Sequence, residues 1–75
     1  MNLASLSVGQ KACILDFQGE HALVQRLLEL GLTDGEVVEV LRFAPLGDPM
    51  EIRVRGYHLS LRKSEAVAVL VELIP

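Results

Sequence analysis

The sequence predicts a small, mainly β domain: a barrel of about five short strands, with one α-helix inserted after the first strand and a short 3-10 turn before the last. Three observations predict it. Apolar and polar residues alternate cleanly from Met50 to Arg55 and again through Leu59 and Leu61, the two-residue period of strands. The period turns helical over a single stretch, His21 to Leu30. Glycine and proline then punctuate the rest of the chain at short, regular intervals, which suits tight turns rather than long crossovers.

Taken in order, Leu3 and Leu6 precede the turn Val8-Gly9-Gln10 and are placed to cover one end of the barrel. Lys11 to Phe17 is the first strand. Cys13, Leu15 and Phe17 fall on one face and Ala12, Ile14 and Asp16 on the other, so apolar residues on both faces predict a largely covered strand with Cys13 as a small buried hydrophobe. At 100° per residue, Leu23, Leu27, Leu30, Val24 and Leu28 then occupy one arc of about 160°. Gln25, Glu29 and His21 lie opposite, and Arg26 sits at the stripe's edge, where its stem packs and its guanidinium reaches solvent. Gly31 is the natural residue for a left-handed C′ position, with Leu32 folding back on Leu27.

Asp34-Gly35 turns the chain into a Val-rich strand, Glu36 to Phe43. Ala44-Pro45-Leu46-Gly47-Asp48-Pro49 is a breaker cluster. In the following strand Met50, Ile52 and Val54 point inward while Glu51, Arg53 and Arg55 point out. A tight turn is expected at Gly56-Tyr57, then a strand through Leu59 and Leu61. A single 3-10 turn is expected over Lys63-Ser64-Glu65-Ala66. The last strand, Val67 to Leu73, carries Val67, Val69, Val71 and Leu73 on one face.

Seventy-five residues make one domain, which buries only about 60% of its unfolded surface and so needs one shared core. With 51% hydrophobic residues and only Phe17, Phe43 and Tyr57 as aromatics, that core should be aliphatic. The single cysteine fits a reducing compartment, and neither a secretory signal nor a spanning segment is visible. These features predict a cytosolic protein. The net charge of −3 argues against general nucleic-acid binding, although Arg53, Arg55, Arg62 and Lys63 against Glu51 make the Met50–Lys63 segment locally +3. That segment reads as a solvated strand face or a patch for an acidic partner surface.

Catalytic chemistry is poorly provided for. His21 and His58 have no further histidine or cysteine at metal-ligand spacing. Lys63-Ser64 resembles the end of a phosphate loop, but Arg62 stands where glycine is needed. Asp48 and Glu51 have no nucleophile to serve. The residues point to a non-enzymatic binding protein with no metal and no cofactor of its own.

Arg26-Leu27-Leu28-Glu29-Leu30-Gly31-Leu32, Gly35, Ala44-Pro45-Leu46-Gly47-Asp48-Pro49-Met50 and Leu59-Ser60-Leu61-Arg62-Lys63 together resemble the FeoA family, small cytosolic components of bacterial ferrous-iron uptake. The loop followed by Leu-x-Leu-Arg is the specific part. Asp34 departs from the proline that many members carry there, which keeps the turn and loses some rigidity. The resemblance implies an SH3-like barrel. It also implies an accessory role beside FeoB, the membrane ferrous-iron transporter with a cytosolic GTPase domain.

On that reading the contact residues are Leu46 and Asp48 in the loop and Arg53, Arg55 and His58 on the strand face, with Arg26 at the helix edge. Asp48 is also placed to cap its own loop. Two alternatives stand beside it. One is an SH3-like module related to those of metal-dependent repressors. The other is a small nucleic-acid-binding barrel using the Arg53/Arg55/Arg62 face.

Overall fold

A computed structural model describes residues 1–75. A 3-10 turn, Leu3–Ser5, leads to β1 (Lys11–Phe17), α1 (His21–Glu29), β2 (Val37–Phe43), β3 (Met50–Val54), β4 (Tyr57–Leu61), α2 (Lys63–Ala66) and β5 (Val69–Ile74). The strands form one antiparallel five-stranded sheet in the order β4-β3-β2-β1-β5, the mainly β architecture with an inserted helix that the residue pattern predicts. The free edge of β5 is partly covered by the N-terminus, through a bridge between Asn2 and Leu70 and a bond from the Val71 N–H to the Met1 carbonyl at 2.9 Å. No helix is long and apolar enough to cross a membrane.

Sixteen hydrophobic residues make one core, and all of them are aliphatic or methionine. Leu3 and Leu6 are part of it and close one end of the barrel. Phe17 and Phe43 pack against its margin, half-buried.

Two β-bulges shape the sheet. The register slips at Leu15, between Ile14 and Asp16, and at Leu41, between Val40 and Arg42. One extra residue in a strand reverses the facing of everything after it. In β1 this brings Phe17 to the inner side with Ala12 and Ile14, instead of beside Cys13. Leu15 is left 52% exposed and Cys13 only half-buried, so β1 is less covered than its composition predicts.

Helix α1 buries Leu27 fully and Leu23 and Leu30 in part. It ends in a Schellman motif. Gly31 takes φ +94°, its N–H donates to the Leu28 carbonyl at 3.0 Å, and the Leu32 N–H donates to the Leu27 carbonyl at 3.1 Å. Leu32 is fully buried, as its position past the glycine predicts. The Tyr57 hydroxyl donates to the Leu30 carbonyl and lies directly over Gly31, so a Cβ at Gly31 would overlap it. Gly31 is therefore required twice, by backbone conformation and by this close approach.

Two turns differ from expectation. The β3–β4 hairpin turns at Arg55-Gly56, not Gly56-Tyr57. Val54 pairs with Tyr57, and both turn residues have positive φ, +52° and +81°. That is the type I′ geometry matching strand twist, with arginine in a position that usually holds asparagine, aspartate or glycine. The turn over Lys63–Ala66 closes as a single α-helical turn, with the Ala66 N–H donating to the Arg62 carbonyl at 2.9 Å and the Val67 N–H to the Lys63 carbonyl at 3.0 Å. The 3-10 turn lies instead at Leu3–Ser5.

Candidate functional site

Two surfaces gather the residues that the sequence singles out. The first is the outer face of β2, β3 and β4. The register sets Glu39 opposite Arg53, Arg42 opposite Glu51, and Arg53 opposite His58. Arg53 Nη2 lies 3.2 Å from Glu39 Oε1, Arg55 Nη2 lies 2.7 Å from Glu36 Oε1, and Arg42 Nε lies 3.7 Å from Glu51 Oε2. His58 Nδ1 stands 3.8 Å from the other oxygen of Glu51. Glu36's hydrogen bond, and then its charge, raises the Arg55 guanidinium above its ordinary pKa.

Two of the four cations that look like a local excess along the chain, Arg53 and Arg55, thus face carboxylates in space. Glu36 and Glu39 approach from a segment distant in sequence, so no local reading shows them. An exposed pair such as Arg53–Glu39 contributes only about 0.2–1 kcal/mol to stability. Its larger consequence is electrostatic: the outer sheet face is a balanced ladder, not a basic patch.

The second surface is the barrel end around the 44–49 loop. The loop is braced by the Gly47 N–H donating to the Ala44 carbonyl at 2.7 Å and the Ala44 N–H donating to the Pro49 carbonyl at 2.9 Å; the Asp48-Pro49 peptide is cis. Asp48 Oδ1 accepts the Lys63 N–H at 2.9 Å, so it ties the loop to the start of α2 instead of capping the loop itself. Leu46 is held at the tip with 97% of its surface exposed. It does not fold back over the barrel.

Beside the loop is a cleft of about 200 Å³ lined by Ala4, Phe43, Gly47, Met50 and Lys63. Phe43 and Met50 are paired across β2 and β3, and the 3-10 turn packs on α2, which brings Ala4 to the rim. A second hollow, between Asp48, Pro49 and Arg62, adjoins the same loop. Sequence reasoning missed this cleft because its residues come from separate segments. The one local hint was the odd exposed leucine between two prolines.

Arg26 lies on neither the outer sheet face nor the cleft lining, and it reaches from α1 to α2. Its Nη1 is 2.8 Å from Glu65 Oε2 as an ion pair, while Glu65 Oε1 accepts the Arg62 N–H at 2.9 Å. Glu65 is 6% exposed, so Arg26 is the partner that lets a carboxylate be buried between α1 and α2. Tyr57, the aromatic nearest the cations, is committed to Leu30. No group of three or more His, Cys, Asp or Glu side chains is placed to hold a metal ion.

The fold defines the class as a small SH3-like barrel, and a zinc-complexed FeoA from Stenotrophomonas maltophilia, described as a prokaryotic SH3 domain protein, superposes with a TM-score of 0.78 at 33% identity, over 96% of this chain and 89% of that one. Within that class, the FeoA domain matches residues 1–73, and the chain belongs to the FeoA family, which is associated with ferrous-iron transport. An FeoA-like protein from Clostridium acetobutylicum superposes with a TM-score of 0.94 at 33% identity, over all of this chain and 87% of that one.

A curated relative from Porphyromonas gingivalis, an Fe(2+) transport protein A/Fe(2+) transporter FeoB fusion protein, is 38% identical over 74 residues. The match takes in 99% of this chain but only 9% of that protein's length. A manganese-dependent transcriptional repressor shares the fold, with a TM-score of 0.89 at 13% identity over 36% of its chain. At that identity the likeness concerns the fold alone.

Proposed function

We propose that this protein is a non-enzymatic accessory factor of bacterial ferrous-iron uptake, acting in the cytoplasm by binding the cytosolic region of an FeoB-type transporter. The observation that carries the reading is the Porphyromonas gingivalis protein, in which a homologue of nearly this whole chain is joined covalently to FeoB. Fusion raises the effective concentration of one partner at the other and is useful only where the two meet. Ferrous iron is the transporter's cargo here, with no ligand set on this chain to hold it.

Contact is made through the loop carrying Leu46 and Asp48. Arg53, Arg55 and His58 on the sheet face and Arg26 on the helix are secondary, because each lies against a carboxylate of its own chain. That same pairing weighs against the nucleic-acid alternative, which needs cations free to meet phosphates. The test is deletion of the gene followed by ferrous-iron uptake under anaerobic conditions, with a pull-down on the cytosolic FeoB region. Reduced uptake and specific capture are expected. Normal uptake with no capture would refute the proposal.

A further inference from the structure

We infer that the barrel end around the 44–49 loop is a side-chain docking site for an acidic, leucine-bearing segment of a protein partner. This rests on the accessory reading above and adds to it the chemistry of what is bound.

A leucine exposed on a surface means little by itself. Here Leu46, 97% exposed, stands beside an apolar hollow whose deepest residue, Met50, is 2% exposed. Small-molecule and cofactor pockets generally enclose about 300–1,000 Å³. At about 200 Å³ this cleft is below that range and suits one anchor side chain, the feature that dominates protein interfaces. Leu46 then packs against the partner segment from outside while the partner's leucine enters between Ala4 and Phe43.

Charge selects the segment. Lys63 lines the cleft and Arg62 lines the adjoining hollow, and neither forms an ion pair. They differ in this from Arg26, Arg42, Arg53 and Arg55. The carboxylates beside them, Asp48 and Glu65, accept the backbone N–H groups of Lys63 and Arg62 and pair with neither side-chain cation. The barrel end therefore offers one unpaired cation at the apolar hole and a second, next to it in sequence, at the adjoining hollow, complementary to a segment with carboxylates flanking an apolar anchor.

The test is an amide chemical-shift titration of the whole chain with a short synthetic peptide alternating glutamate pairs and leucine pairs. Shifts at Phe43, Gly47, Met50 and Lys63 are expected. Binding should weaken about tenfold when lysine replaces the glutamates, when serine replaces the leucines, or in the charge-neutralising variant Arg62→Gln/Lys63→Gln, whose remaining spectrum reports whether it is folded. Shifts confined to the outer face of β2–β4, no shifts, or an equal response to the lysine peptide would overturn the inference. So would tighter binding of a single-stranded oligonucleotide at the same amides.

The cytosolic FeoB region provides the second arm. Failure of the unaltered protein to bind it, with the peptide still docking, would remove the accessory reading and leave this site standing. Equal binding by the unaltered protein and by Arg62→Gln/Lys63→Gln would remove this site and leave the accessory reading.

Discussion

The outer sheet face and the barrel end carry similar residues and use them in opposite ways. On the sheet, Arg42, Arg53 and Arg55 each meet a glutamate of this chain, and the surface is electrostatically closed. At the barrel end, Arg62 and Lys63 have no such partner, and an apolar side chain is held out in water beside an apolar hollow. A run of cations in a sequence is thus weak grounds for a binding surface. What matters is whether the fold brings anions to it, and β2 brings them to β3.

Below both surfaces is the scaffold, and breaking it should have the largest effect. Gly31→Val forces φ > 0 on a β-branched residue and displaces the Tyr57 hydroxyl, which together should cost about 2–3 kcal/mol, or about 10–20 °C in Tm for a domain this small. A thermal melt checks it. Tyr57→Phe should lose only the hydrogen bond to Leu30, about 1 kcal/mol. Leu46→Asp comes next and separates the surfaces. Its stability should stay within about 0.5 kcal/mol because the side chain touches little of its own protein, while affinity for the cytosolic FeoB region falls about tenfold or more in a calorimetric titration.

Arg53→Ala should do the reverse at smaller size. It should lose about 0.2–1 kcal/mol, less at high salt, and leave partner binding within about twofold. The smallest expected effect is Arg55→Gly. Relief of the positive φ and loss of the Glu36 contact oppose each other, and the melt should rise slightly as the backbone term wins. A fall instead would mean that the guanidinium holds the hairpin.

Much of this architecture could be read from the residues. The bounds of β1 and the C-terminal half of α1 follow from hydrophobic period, and the Schellman end follows from Gly31 with Leu32, because these features depend on neighbours in sequence. The bulges at Leu15 and Leu41 could not be read, since an extra residue in a strand costs little locally and shows only against its partner strand. Arg55 hid the hairpin turn because arginine is not a residue that positive φ selects. Of the proposed site, the loop with Leu46 and Asp48 was legible. The other half was not, because Ala4, Phe43, Met50 and Lys63 meet only after the sheet has folded and the 3-10 turn has packed on α2.

The most direct test is an amide map of this protein with and without the cytosolic region of an FeoB-type transporter. Perturbation should center on Leu46, Gly47, Met50 and Lys63, with Glu39, Arg53 and His58 little changed. Perturbation centered on Glu39, Arg53 and His58, with the loop unmoved, would contradict the assignment of binding to the barrel end.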